Sequence, residues 1–161
     1  MTPPSNKTMS GGCACGAVTY TSTANDTHLD MCYCTQCQRI SGAPVVAWMG
    51  VARDALAWDG PVGTVRLSSF AERSFCEKCG GTLTMQYSCY PNKTHVAAAT
   101  VIRSDWEPPQ IGTHIFVAAK PSWYQIADDG APRWDTFDDD FAREFPDIVE
   151  KVKKSIPIGG K

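Results

Sequence analysis

Short runs of β-branched and aromatic residues, broken at intervals by Gly, Pro, Asn and Asp, dominate the chain from Gly16 onward. Residues 17–21, 44–51, 63–67, 73–75, 82–87, 95–101 and 114–117 form such runs, and their length and punctuation predict an all-β domain. Period-two alternation sharpens the reading in two of them. Val18 and Tyr20 flank a Thr, and Leu83, Met85 and Tyr87 alternate with Thr84 and Gln86, so each strand is expected to bury one face and turn its Thr and Gln to water. Asn25-Asp26, Asp59-Gly60-Pro61 and Tyr90-Pro91-Asn92 supply the tight-turn residues between runs.

Helical spacing of any length is expected only near the C-terminus. Pro146 suits a first-turn position, and Ile148, Val149, Val152 and Ile156 recur at a helical period. Lys151, Lys153 and Lys154 fall near the end of that helix, where cations complement its dipole, and Asp138 to Asp140 read as an acidic turn or cap before it.

Length and composition narrow the class. A chain of 161 residues with 43% hydrophobic and 20% charged residues has the size and balance of one globular domain, which excludes wholesale disorder. Lys+Arg 15 against Asp+Glu 17 leaves a net charge of -2, so no electrostatic footing exists for nucleic acid or an anionic membrane as partner. The longest apolar runs, 43–50 and 96–102, are less than half of the ~20 residues a membrane-spanning helix needs. The opening MTPPSNKTMS is polar, contains Pro and lacks the apolar stretch of a secretory signal, so a cytoplasmic protein is expected. The expected organisation is a flexible arm over 1–10, a cysteine-bearing domain over 11–137, and an acidic turn with a helical tail over 138–161.

Eight cysteines change this picture. A reducing compartment disfavours four disulfides, and metal is the better account, although an extracellular disulfide scaffold is the alternative. Cys13-Ala14-Cys15-Gly16 and Cys76-Glu77-Lys78-Cys79-Gly80 are two chelating pairs, each followed by glycine. Glycine lets backbone N–H groups curl toward a thiolate, and two such pairs supply the four soft ligands of a closed structural zinc. That ion would contribute on the order of 10 kcal/mol to folding. A disulfide within Cys13-Ala14-Cys15 would be strained, and Cys76 to Cys79 as a redox pair lacks a thioredoxin-like surrounding.

Cys32-Tyr33-Cys34-Thr35-Gln36-Cys37 differs, because three cysteines cluster with no fourth Cys or His in the same loop. Three protein ligands and one open position mark a reactive zinc, whereas completion by Cys89 or a histidine would make the site structural. Three thiolates outweigh the charge of the ion, so water activation is blunted and chemistry on a fourth, substrate thiol fits better than hydrolysis. A cysteine nucleophile served by a remote His28, His95 or His114 is a further reading. Arg39, Arg66, Arg73 and Lys120 are available to carboxylates of a peptide thiol, with surface solvation as the plainer role.

The order Gly11-Gly12-Cys13-Ala14-Cys15-Gly16-Ala17-Val18, then Cys32 to Pro44, then Arg73-Ser74-Phe75-Cys76-Glu77-Lys78-Cys79-Gly80 resembles the glutathione-dependent formaldehyde-activating enzyme family, which shares its domain with centromere protein V. His114-Ile115-Phe116, Lys120-Pro121-Ser122-Trp123-Tyr124 and Asp128 to Pro132 extend the resemblance to about residue 135. It implies a β-tent of small coiled antiparallel sheets with two zinc ions per chain. One, structural, would sit on Cys13, Cys15, Cys76 and Cys79; the other, catalytic, on Cys32, Cys34 and Cys37. It also implies carbon–sulfur bond formation between glutathione and formaldehyde, or cleavage of the adduct. The sequence departs from the family at Tyr33, where histidine is common, and at 98–103.

The expectation is therefore a zinc-dependent carbon–sulfur lyase acting on a small thiol adduct, with glutathione and a small aldehyde as partners and a homodimer compatible with the chain. The rival is a non-enzymatic zinc-scaffolded module that presents some of Trp48, Trp58, Trp106, Trp123 and Trp134 to a protein partner.

Overall fold

The computed structural model describes residues 8–23, 26, 28–107 and 109–155. The chain forms strands β1 (Met9–Gly12), β2 (Thr19–Ser22) and β3 (His28–Cys32), helix α1 (Thr35–Ser41), and strands β4 (Val46–Ala52), β5 (Leu56–Asp59), β6 (Val62–Arg66), β7 (Ala71–Cys76), β8 (Thr82–Tyr87), β9 (Lys93–Ala97), β10 (Val101–Ser104) and β11 (Gln110–Ile115). Helices α2 (Asp139–Glu144) and α3 (Pro146–Ser155) follow. The architecture is mostly β, built of small antiparallel sheets with short C-terminal helices, in line with the all-β expectation. No described helix is long and apolar enough to cross a membrane.

The chain divides into two compact units. The described residues of 1–28 and 48–110 make the first; those of 29–47 and 111–161 make the second. No shift in composition marks this division, because each unit is assembled from segments far apart in sequence. Of the expected arm, residues 1–7 lie outside the described residues, while Met9 and Ser10 already belong to β1. Met9 is buried there, opposite Ser104 on β10 and Ser22 on β2.

In the first unit, one sheet runs in the order β10-β1-β2-β5. Tyr20 on β2 is buried, packs edge-on against Trp58 of β5 at 5.3 Å, and bonds Thr100 Oγ1 through its hydroxyl at 2.8 Å. Strands β4, β9, β8, β7 and β6 follow one another as antiparallel neighbours in that order. The run 95–101, expected as one strand, is broken by a 3-10 turn at Ala98–Thr100, and its two halves enter different sheets. Thr100 closes that corner by donating its hydroxyl to the carbonyl of Ala97 at 2.7 Å.

Alternation holds through β2 and the residue before it, where Val18 and Tyr20 are buried and Thr19 and Thr21 are exposed. On β8 it fails at Thr84, which was expected to face water and is buried against the hydroxyl of Ser74. The two buried hydroxyls satisfy each other, which lets that face do without water.

In the second unit β3 and β11 are neighbours. Helix α1 was not expected: it has seven residues, starts at Cys34 and stops at Gly42, whose φ of 70° ends the turn. The run expected over 114–117 ends sooner, because Phe116 adopts a φ of 60° and a 3-10 turn follows at Val117–Ala119. For a bulky residue that conformation costs on the order of 1–3 kcal/mol. It is held by the Phe116 N–H donating to Thr136 at 2.9 Å and by the ring meeting Phe137 at 4.8 Å. Phe137 stacks in turn on Phe141 of α2 at 4.0 Å. Asp138 caps α2 by accepting from the Phe141 N–H at 2.9 Å, so the acidic residues expected as a turn or cap before the Pro146 helix instead open a separate short helix that contains Asp139 and Asp140. On α3, Pro146 opens the helix and Ile148, Val149 and Val152 are buried as their spacing predicts; Ile156 lies outside the described residues.

Candidate functional site

Each unit carries one cluster of sulfurs. In the first, the chain leaves β1 into Cys13 and turns at once, with Cys13 N–H donating to Val18 at 3.0 Å and Gly16 N–H donating back to Cys13 at 3.2 Å. The second loop leaves β7 at Cys76 in the same way, with Cys76 N–H donating to Gly81 at 3.0 Å and Gly80 N–H to Cys76 at 2.8 Å. Gly16 and Gly80 have φ of 77° and 73°, a region a side chain rarely enters, which explains the glycine after each pair. Cys13 and Cys76 root both loops in a buried cluster with Val18 and Leu83, while Cys15 and Cys79 are exposed.

The four Sγ atoms of Cys13, Cys15, Cys76 and Cys79 all lie within 4.8 Å of one another, so the group could hold a metal ion. Cys13 and Cys15 are separated by 3.6 Å and Cys15 and Cys76 by 3.9 Å. A tetrahedron of sulfurs about 2.3 Å from a zinc ion has edges of about 3.8 Å, so the spacing fits that ion. Backbone donors favour ionised sulfur: the Val18 N–H, 3.2 Å from Cys13 Sγ, is the main reason that thiol falls to about 6, and the Gly81 N–H is the main one lowering Cys79. The Ala17 N–H acts downward on Cys15, but Cys13, burial and the other two thiols outweigh it and raise Cys15 to about 11.

In the second unit, the end of β3 runs straight into α1. Cys32, Cys34 and Cys37 are 2%, 3% and 1% exposed, and their Sγ atoms also lie within 4.8 Å of one another. Among the described residues no fourth His, Cys, Asp or Glu joins them, and Cys89 belongs to neither group. Cys34 is the N-cap of α1 and accepts from the Cys37 N–H at 3.3 Å, a place usually held by Ser, Thr, Asp or Asn. Its neighbours push Cys32 well above the ordinary thiol range, Cys34 first and then Cys37. The bond with Cys32 pulls Cys34 down, but Cys37 and burial prevail and raise it to about 12. Three buried thiols this close cannot all ionise without a cation among them, which is the behaviour of a metal-binding set.

Tyr33, between the first two of these cysteines, is held on three sides. Its N–H donates to Ile115 at 3.0 Å, its carbonyl accepts from Gln38 Nε2, and its hydroxyl lies 2.9 Å from Nδ1 of His114. Gln38 also donates to the carbonyl of Ala119 at 2.9 Å, joining α1 to the turn after Phe116. His114 Nε2 is 2.9 Å from Asp129 Oδ2. Of the histidines considered, His28 is exposed, His95 is buried, and His114 touches Tyr33 of the three-cysteine loop. The sequence contains a signal for this, a histidine in a segment shared with the family, but nothing that pairs it with Tyr33.

The other candidates are accounted for locally. Arg66 pairs with Glu72 at 3.0 Å, Lys120 donates to the carbonyls of Pro121 and Tyr124, and Arg39 is exposed in the last turn of α1. Arg73 is buried, with Nε and Nη1 lacking a partner among the described residues. Of the tryptophans, Trp48 is buried, while Trp58 in the first unit and Trp123 in the second are exposed. None of the eight cysteines takes part in a disulfide.

A model of the family described as glutathione-dependent formaldehyde-activating enzyme matches residues 8–119, which include both sulfur clusters. The chain is 32% identical over 78 residues to an "uncharacterized lyase" of Schizosaccharomyces pombe, a match covering 48% of this chain and 57% of that one. The chain thus spans little more than half the length of that relative. It is 28% identical over 127 residues to a "putative glutathione-dependent formaldehyde-activating enzyme" of Halomonas elongata, covering 73% of this chain and 80% of the other. A solved Rhodobacter sphaeroides protein aligns with a TM-score of 0.48 and 20% identity over 78% of this chain and 99% of its own.

Proposed function

We propose, since this chain belongs to the glutathione-dependent formaldehyde-activating enzyme family, that it is a zinc-dependent carbon–sulfur lyase acting on the adduct of a small thiol and a small aldehyde. Glutathione and formaldehyde are the substrates named by the family and by one relative. The observation that carries the reading is the convergence of Cys32, Cys34 and Cys37 without a fourth protein ligand among the described residues. A zinc ion held there would offer an open position at which a substrate thiol is bound as the nucleophilic thiolate.

The chain supplies the rest. Three buried sulfurs provide an electron-rich, water-poor wall, which weakens the case for hydrolysis and keeps a bound thiolate reactive. Helix α1 holds Cys34 and Cys37 at a set spacing through the Cys37 N–H, and Tyr33 locks the strand that carries Cys32. In the synthetic direction the sulfur lone pair forms the C–S bond, the carbonyl π pair moves to oxygen, and the proton lost by the thiol ends on that oxygen. The lyase direction reverses each step, and no oxidant or reductant is consumed. The set of Cys13, Cys15, Cys76 and Cys79 is read as a structural zinc site, because its loops are rooted in the core and its four ligands close the shell. A cytoplasmic, reducing setting suits free thiols.

The test is to add zinc-loaded protein to glutathione and formaldehyde and follow adduct exchange by NMR against the spontaneous rate. Acceleration that disappears in Cys34→Ser supports the proposal. A rate equal to the spontaneous one across a range of both reactants removes the substrate assignment.

A further inference from the structure

We infer that Tyr33, His114 and Asp129 form a hydrogen-bonded relay whose task is to position the sulfurs of Cys32 and Cys34, with Asp129 as its anchor at the surface. The inference rests on reading the three-cysteine set as a metal centre and deepens that reading.

The direction of the relay follows from its chemistry. Asp129 is held ionised below the usual carboxylate range, first by the Ala131 N–H at 3.0 Å and also by His114. A carboxylate only accepts, so Nε2 of His114 carries the hydrogen and donates to Oδ2 at 2.9 Å, with Oδ1 at 3.2 Å. In a neutral ring with its hydrogen on Nε2, Nδ1 keeps a lone pair to which the Tyr33 hydroxyl at 2.9 Å donates. Of the two neutral tautomers, only this one satisfies both bonds.

Tyr33 and His114 are 1% and 2% exposed. Burying a phenol and an imidazole is costly unless both are bonded, and two apolar rings would fill the same space without that demand. What the polar pair adds is a defined ring position. Tyr33 is covalently adjacent to both Cys32 and Cys34, so a shift of its backbone moves two of the three sulfurs together. The four-cysteine set has no such requirement, since its two loops are each closed by their own backbone bonds.

The anchor sits where the relay can meet solvent. Asp129 has a side chain 22% exposed and lies in a turn with Gly130 at a φ of 76°. It also lies beyond residues 8–119, the segment matched by the family model. Tyr33 and Asp129 are linked in the relay through opposite nitrogens of one imidazole, and this makes their energetic coupling diagnostic.

The experiment titrates Co²⁺ into the full chain and follows sulfur-to-metal charge-transfer and d–d absorption for wild type, Tyr33→Phe, Asp129→Ala and the double variant. The wild type is expected to take two equivalents. Each single variant should weaken the three-cysteine site by roughly 10- to 100-fold and leave the four-cysteine site unchanged, as outer-shell partners of metal ligands do. The double variant should be no weaker than the weaker single one, and Asp129→Asn, which keeps an acceptor, should recover most of the affinity. Two equivalents with additive losses, or equal weakening of both sites, overturn the relay alone. A wild type that takes one equivalent overturns the metal reading and the relay with it. Should Asp129→Ala not fold, Tyr33→Phe decides: unchanged affinity overturns the relay, and a selective loss supports it.

Discussion

The sulfur of Cys15 lies 3.9 Å from that of Cys76, sixty-one residues further along the chain. Two loops that are each stable only as turns become a single four-sulfur group by this approach, and the strands β1 and β7 that lead into them are thereby tied at their ends. A metal at that point closes a long loop of the unfolded chain, where binding energy becomes folding energy.

Cys76→Ser should therefore lose the first metal equivalent and unfold the first unit. The residue is fully buried, and the expected contribution of a structural zinc, on the order of 10 kcal/mol, equals or exceeds the stability of a typical domain. Metal analysis together with amide NMR dispersion checks this; a well-dispersed spectrum without the first equivalent contradicts it.

Cys34→Ser should behave in the opposite manner. Serine is a good N-cap, so its hydroxyl can take over the bond now made by Cys34 to the Cys37 N–H, and α1 should persist. Zinc content should fall from two to one per chain with the thermal midpoint shifted by no more than a few degrees, whereas Cys34→Ala should cost about 1 kcal/mol more for the lost cap. Comparing zinc content and melting for the pair checks both statements.

Burial lowers His95 to about 4, with the charge of Lys93 acting the same way and outweighing Asp26. The unfolded chain takes up this proton more readily than the folded one between about pH 6.5 and 4, so stability is complete above that window and falls as the pH drops through it. The loss is on the order of 3 kcal/mol. Urea unfolding at several pH values should show a flatter acid limb in His95→Gln than in wild type. Thiol ligands titrate alike in both proteins, so parallel limbs would contradict the assignment.

Phe137→Ala should weaken the second unit by roughly 3–5 kcal/mol, the usual result of emptying a buried aromatic site. Its ring sits between Phe116 at 4.8 Å and Phe141 at 4.0 Å, so the strained turn at Phe116 and helix α2 both lose their support. Denaturant melts followed by near-ultraviolet dichroism report the loss. A change under 1 kcal/mol would show that the aromatic file does not hold this turn.

Local signals were readable and distant partners were not. The two glycine-terminated cysteine pairs, the alternation of Val18 and Tyr20, and the spacing of Ile148, Val149 and Val152 each state a preference within a few residues, and each appears where expected. Helix α1 escaped notice because it is a single short segment whose cap is a cysteine. Thr84 departs from the pattern because alternation says which residues share a face, not that Ser74 on the neighbouring strand would take the Thr84 hydroxyl out of water. His114 stood out as one of three histidines, and its partner Tyr33 lies eighty-one residues away.

By itself the sequence determined how the thiols are grouped in this protein: which cysteines are paired, where glycine permits a turn, and that three cysteines crowd one short loop. Those are properties of neighbouring residues and hold whatever the rest of the chain does. Only the tertiary structure decided that the pairs meet, that no fourth ligand among the described residues joins the trio, and that Tyr33 hangs from His114 and Asp129. Such contacts join positions whose separation along the chain carries no information about their distance, and burial of the intervening strands alone brings them together.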